Sequence, residues 1–306
     1  MAFVSIQASA EESQWEKWNT TGTKAYRQGR YVDAEKSLEA TLKETEHFEP
    51  QDLRLAVSLN NLAALYETQG KYAEAEPLYE RSLSILEETL RSEHPLVAGS
   101  LNNLAALYVT RGKYVEAELL YREALRIYEK TLRLEHPFFA TILNNLALLY
   151  SAQGRDTEAE PLLKQALAID MKSLGPHHPD VATDLNNLGV LYRAQGKYAQ
   201  AEPFYQRALA IRKKALGAEH PDVAQSLNNL AKLYDDQDKH TEAEPLYQEA
   251  LRIYEKTLGP EHPDVAQNLE NYALLLRKTN REGEAAKMEA RAKAIRARHA
   301  QKNLAI

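Results

Sequence analysis

Apolar residues recur along this chain at three- and four-residue intervals, and the pattern itself then repeats. Between 181 and 192, Val181, Leu185, Leu188, Leu191 and Tyr192 fall on one side of a helix; between 198 and 211, Tyr198, Ala201, Tyr205, Ala208, Leu209 and Ile211 do the same. Gly196 separates the two stretches, and a left-handed residue suits such a turn. The two-helix unit returns every 42 residues: Asn-Asn-Leu stands at 60–62, 102–104, 144–146, 186–188 and 228–230. A later copy reads Glu270-Asn271-Tyr272, and a divergent earlier one contains Asn19. The repeats are placed at 12–50, 51–93, 94–135, 136–177, 178–219, 220–261 and 262–300.

Local chemistry sets the ends of each predicted helix. His-Pro opens the first helix at 94, 136, 178, 220 and 262, with proline where its missing N–H costs nothing. Asp180, Asp222 and Asp264 follow, where the positive helix end favours acids. Gly70, Gly112, Gly154 and Gly196 end the first helices, and Asp238 and Asn280 replace glycine later. Ala75, Ala117, Ala159, Ala201, Ala243 and Ala285 let paired helices approach closely, and Pro77, Pro161, Pro203 and Pro245 are expected to bend the second helices slightly. No strand pattern or hairpin dipeptide occurs, so an all-α fold of fourteen antiparallel helices is predicted. One helix pair exposes too much apolar surface to be stable alone, and stacking on its neighbours buries it.

Composition narrows the function. Of 306 residues, 44% are apolar and 27% charged, which excludes a disordered chain. The absence of cysteine removes disulfides, thiolate metal sites and cysteine nucleophiles. A net charge of −6 offers no footprint for nucleic acid, and no apolar run approaches the ~18 residues of a membrane span. The start, Met1-Ala2-Phe3-Val4-Ser5-Ile6, lacks the pattern of a signal peptide, so a cytoplasmic protein is expected.

The series Leu185, Leu188-Gly189, Tyr192, Gly196, Tyr198, Ala201, Tyr205 and Ala208-Leu209 resembles the tetratricopeptide repeat, with 42 residues where the usual unit has about 34. The inter-repeat phrase at 258–266, with Leu-Asn-Asn-Leu-Ala and Gly-Lys-Tyr-x-x-Ala-Glu-Pro, is similar to the repeat domain of kinesin light chains over about 53–280. The resemblance implies a right-handed α-α superhelix of seven helix pairs, with first helices lining a concave groove that takes extended peptides. It also implies a kinesin heavy chain as a partner and a cytoskeletal location. That coupling runs through a heptad coiled coil ahead of the repeats, and no stretch here shows three or four heptads.

Consecutive helix residues point about 100° apart, so the paired asparagines have different surroundings. By the resemblance, Asn61, Asn103, Asn145, Asn187, Asn229 and Asn271 take a structural position. Asn60, Asn102, Asn144, Asn186 and Asn228, with Asn19, are then expected to form a peptide-binding ladder. An amide can donate to and accept from a peptide backbone whatever its side chains. Further along the same face, Leu148 and Val190 are expected to hold an apolar anchor and Arg193 and Lys232 to meet acids. Substitution of Asn144 and Asn186 by leucine is expected to weaken binding and spare stability.

The remaining patterns read as structural. The five His-Pro histidines are helix starts, since equivalent positions of adjacent repeats are too far apart to share a metal. The tyrosine columns 66, 108, 150, 192, 234 and 79, 121, 205, 247 read as core, and the basic stretch from Lys287 to Arg298 as a solvated cap. No phosphate loop, nucleophile elbow or His-Glu-x-x-His motif occurs, and no repeat shows a polar residue of its own that would form a pocket. The chain is therefore expected to be a non-catalytic adaptor without cofactor or metal. The alternatives are a scaffold or sensor module with no motor partner, or a self-assembling repeat protein.

Overall fold

A computed structural model describes residues 13–27, 30–90, 92–131 and 134–304; the expected repeat start at 12 and the Met1–Ile6 segment lie outside them. The described residues form fourteen helices and no strand. The first helices of the pairs are α1 (Gln14–Arg27), α3 (Leu53–Thr68), α5 (Pro95–Thr110), α7 (Pro137–Ala152), α9 (Pro179–Ala194), α11 (Pro221–Asp236) and α13 (Pro263–Lys278). The second helices are α2 (Tyr31–Thr45), α4 (Tyr72–Leu90), α6 (Tyr114–Thr131), α8 (Asp156–Ser173), α10 (Tyr198–Leu216), α12 (His240–Leu258) and α14 (Glu282–Leu304). The chain divides into two compact units, Met1–Leu149 and Tyr150–Ile306, so the division falls inside α7.

The histidines start helices by a mechanism the sequence did not spell out. His94, His178, His220 and His262 are extended, and each Nδ1 accepts a hydrogen bond from the backbone N–H two residues on, at 3.2 Å. Each imidazole thus caps a helix N-terminus while the following proline takes the first helical position. At the other end, Gly70 has φ 77°, and the Lys71 N–H reaches back five residues to the Tyr66 carbonyl at 2.8 Å. Asp238 and Asn280 hold the same conformation, at φ 57° and 61°.

In unit 1, α3 packs on α4 and α5 on α6, with α2 and α4 each joined to the next pair. Ala63, Ala75, Tyr79, Leu104 and Leu107 form a core shared by two pairs. In unit 2 the same order runs from α8 to α14, and Ala231, Ala243, Tyr247, Tyr272 and Leu276 form the corresponding core. Each fully buried Leu or Tyr contributes roughly 1.5–3 kcal/mol. Contacts between pairs supply much of this burial, which is why the pairs stack. The second-helix alanines from Ala75 to Ala285 are fully buried; in a different, first-helix column that otherwise carries Ala63, Ala105, Ala147, Ala231 and Ala273, a Cβ added to Gly189 would lie 2.8 Å from the Tyr205 ring.

The second tyrosine column, Tyr79, Tyr121, Tyr205 and Tyr247, is buried core as expected. In the first, Tyr150 and Tyr192 are buried core as expected, while Tyr66, Tyr108 and Tyr234 are half-buried. Its hydroxyls donate to acids on the preceding second helix: Tyr192 to Glu160 (2.7 Å), Tyr234 to Glu202 (3.0 Å) and Tyr108 to Glu80 (3.2 Å). Burial and neighbouring carboxylates push the Tyr66 hydroxyl up to about 12. The basic residues of α14 are largely paired, Arg291 with Glu255 (2.5 Å) and Arg298 with Glu261 (2.6 Å).

Candidate functional site

The paired asparagines form an amide relay between successive first helices. In unit 1, Asn61 Nδ2 donates to Asn19 Oδ1 (2.8 Å), Asn103 to Asn60 (3.1 Å) and Asn145 to Asn102 (2.9 Å). In unit 2, Asn229 donates to Asn186 (2.8 Å) and Asn271 to Asn228 (3.1 Å). The second asparagine of one repeat therefore bonds the first asparagine of the repeat before it.

This corrects the division of labour expected from the sequence. Asn60 and Asn102 are each 1% exposed, and Asn144, Asn186 and Asn228 only 7%, 6% and 9%. The carbonyl oxygens of Asn60, Asn102, Asn186 and Asn228 are occupied by the scaffold. Buried amides are partnered because desolvating an unmade hydrogen bond is costly, and here the nearest partner is the next repeat. The ladder is first a structural device. Against the expectation that Asn144 and Asn186 can be replaced without loss of stability stands the Asn186 oxygen, which accepts the Asn229 amide and would be lost with the side chain.

The charged positions follow the same logic. Arg193 Nη1 lies 2.7 Å from Asp236 Oδ2, so the cation expected to await an acidic ligand already holds an acid of the next repeat. Lys278 is likewise paired with Asp235 at 3.1 Å, and Arg277 with Glu289 at 2.8 Å and with Glu282. Asp235 and Asp236 were not expected as partners.

Lys232 is different. On α11 it is half-buried, and it makes no hydrogen bond or ion pair among the described residues. Burial lowers the pKa of its amine, the positive charge of Arg193 lowers it further, and Asp236 opposes both. A cavity of about 210 Å³ lies beside it, walled by the carboxamides of Gln225, Asn228, Asn229, Gln267, Asn268 and Asn271. Tyr254 and Asp264 complete that wall. A second cavity of about 320 Å³ shares Lys232 and is lined by Tyr247, by Leu274, a leucine 57% exposed, and by the ion-paired Asp235, Asp236, Arg277 and Lys278. One unpaired cation is thus shared by an amide-lined cavity and one that offers both ion pairs and an exposed leucine, an arrangement suited to a polypeptide segment. Val190, at the matching position of α9, is half-buried; Leu148, which belongs to unit 1, is 41% exposed.

The tetratricopeptide repeat family model matches residues 22–88, 54–130, 138–214, 185–256 and 222–298. The chain belongs to the tetratricopeptide repeat family. No curated protein matches it. Among solved structures, a candidate kinesin light chain from Podosopora anserina with nearly identical repeats is 36% identical, over 69% of this chain and 99% of that one, with a TM-score of 0.55. BtubC (BKLC) from P. vanneervenii is 27% identical over 76% of this chain and 91% of that one, with a TM-score of 0.57. RapI in its apo form, at 16% identity, covers 95% of this chain and is itself wholly covered, with a TM-score of 0.69, and shares the fold.

Within this tetratricopeptide chain one break in the repetition also escaped the sequence analysis. Asp170 on α8 and Asp184 on α9 stand where other repeats carry Leu86 and Ser100, Tyr128 and Ile142, or Tyr254 and Asn268. Comparing whole columns, rather than the family positions alone, would have found them. Among the described residues no three His, Asp or Glu side chains gather as a metal site, and no helix is long and apolar enough to cross a membrane.

Proposed function

We propose that this chain is a non-catalytic interaction scaffold that binds an extended segment of another protein on the α11–α13 face of unit 2. The unpaired, half-buried amine of Lys232 carries this reading. A desolvated cation without a partner is unfavourable, and a carboxylate from a ligand would supply the missing charge. Carboxamides beside it match a peptide backbone, and exposed Leu274 offers an apolar contact. The expected segment places one acidic residue at Lys232 and an apolar residue at Leu274. Asn186 and Asn228 contribute their amide nitrogens alone to such a ligand. Val190 remains a proposed contact on unit 2, Asn144 and Leu148 remain proposed contacts of unit 1 by itself, and Arg193 would have to leave Asp236 to serve.

The 36% identity to the Podosopora anserina protein and the 27% identity to BtubC support a kinesin-light-chain type of adaptor. A motor heavy chain as partner and a cytoplasmic, cytoskeleton-associated location belong to that version. The α11–α13 face serves equally a scaffold with no motor partner.

The test uses an array of short peptides, each acidic member paired with its Gln or Asn counterpart, against wild type and Lys232→Met. Wild type should prefer acidic members by about tenfold, or ~1.4 kcal/mol. Lys232→Met should lose the preference and melt no lower than wild type, because methionine fills the site without an unpaired charge. Equal affinity of both proteins for acidic peptides would sink the reading.

A further inference from the structure

At the C-terminal end of α11 two different groups reach for one oxygen atom. Lys278 Nζ, from α13, lies 3.1 Å from Asp235 Oδ1 and 3.3 Å from the Asp235 carbonyl. His240, which opens α12, brings Nδ1 to 3.3 Å from the same Oδ1. Asp235 is buried. His240 Nδ1 is buried too and completes no hydrogen bond among the described residues. The other ring nitrogen, Nε2, faces a second acid, Asp238, at 3.8 Å. A neutral imidazole has one proton for two nitrogens, and carboxylates only accept, so only the doubly protonated ring serves both acids.

The same contact recurs in other repeats. Five residues separate Asp235 from His240, and that step also joins Ser151 to Asp156 (3.3 Å) and Arg277 to Glu282. Those two pairs are complementary as they stand, whereas Asp235 and His240 become so with a proton. Tyr31, Tyr72, Tyr114 and Tyr198 hold the histidine's position elsewhere. Other charged groups around this junction are engaged. On α11, Asp236 holds Arg193 at 2.7 Å. On α12, Glu242 accepts the Thr241 hydroxyl (2.6 Å), and Glu244 accepts from Tyr272 and Arg281 (2.6 Å each). Lys239, just ahead of α12, lies over the Tyr234 ring at 5.6 Å, and on α13 Arg277 also holds Glu289 at 2.8 Å.

We propose that Lys278 is a second cation for the bound segment, released when His240 takes up a proton and claims Asp235. Lys278, Asp235 and Lys232 line the same cavity of about 320 Å³, so the inference rests on peptide binding at Lys232. With His240 neutral, Asp235 neutralises Lys278 and the segment meets Lys232 alone. With His240 protonated, two cations share one carboxylate and the junction gains a positive charge. A segment with a second acidic residue then binds more tightly.

Histidine side chains change charge between about pH 5 and 8, while peptide carboxylates stay ionised above about pH 5. The advantage of the second acid therefore rises as pH falls from about 8 to about 6, and by reciprocity its binding takes up protons. Titration of Lys232 acts on one-acid and two-acid peptides alike and cancels in their ratio.

The test titrates a peptide with two acidic residues, and its counterpart with Gln or Asn at the second, into wild type, His240→Tyr and Lys278→Met at about pH 6 and about pH 8. The first acid is the one whose advantage Lys232→Met removes. In wild type the second acid should improve affinity roughly fivefold at the lower pH and little at the higher. In His240→Tyr, which restores the residue of four other repeats, and in Lys278→Met it should add little at either. Should His240→Tyr fail to fold, His240→Gln, neutral at both pH values, takes its place. A second-acid advantage that ignores pH, or that changes equally in wild type and His240→Tyr, would overturn the proposal and leave Lys232 standing. Wild type that prefers acids no more than Lys232→Met does would remove the Lys232 reading and this one with it.

Discussion

Asn60 does not meet its own counterpart Asn102 but the residue after it, Asn103. The same separation of 43 residues joins Asn102 to Asn145, Asn186 to Asn229, Asn228 to Asn271, Arg193 to Asp236 and Asp235 to Lys278. The side chains of these pairs are thus one position out of step with the 42-residue period. A periodic reading aligns equivalent residues and assigns each column one role, which is how Asn186 and Arg193 came to look available to a ligand. Scanning for complementary residues one step beyond the period would have found the relay and both ion pairs. Replacing Asn229 with leucine should strand the Asn186 oxygen and cost about 1–3 kcal/mol of stability. Denaturant unfolding that matches wild type would show the relay to be energetically idle. Lys232 was legible as a groove cation, but its lack of a partner depends on where Asp235 and Asp236 turn, and sequence does not carry that.

Helix existence, order and ends were almost wholly legible, because each element is specified twice, by its apolar stripe and by its punctuation. His-Pro marks a start, a left-handed Gly, Asp or Asn marks a stop, and the structure keeps both. Histidine as the capping acceptor was not foreseen, since Ser, Thr, Asp and Asn are the usual caps; Nδ1 substitutes because it lies at similar reach from the backbone. Converting His220 to alanine should remove the acceptor for the Asp222 N–H and destabilise the chain by about 0.5–2 kcal/mol. Hydrogen exchange should place the loss in the first turn of α11. Unchanged protection there would mean that proline alone sets the helix start.

Across the whole molecule, stability is a sum of terms between neighbouring pairs, so damage should stay near its site. Hydrogen exchange on Asn229→Leu should show loosening in α9, α11 and α13 and leave the amides of α3 and α4 protected as in wild type. Uniform loosening of unit 1 and unit 2 together would contradict that additivity. Function on this scale requires a surface that the scaffold has not already used. Among the described residues many groove-side amides and cations are consumed in joining repeats, whereas Lys232, lining two cavities, stays unpaired. A charge-swap titration tests that claim most directly: an acidic peptide selected on wild type, and the same peptide with lysine in place of its acid, each titrated into wild type and Lys232→Glu. The account predicts tight binding for the two opposite-charge combinations, weak binding for the two like-charge ones, and a difference that shrinks with added salt. Affinities that ignore the sign of residue 232 would contradict it.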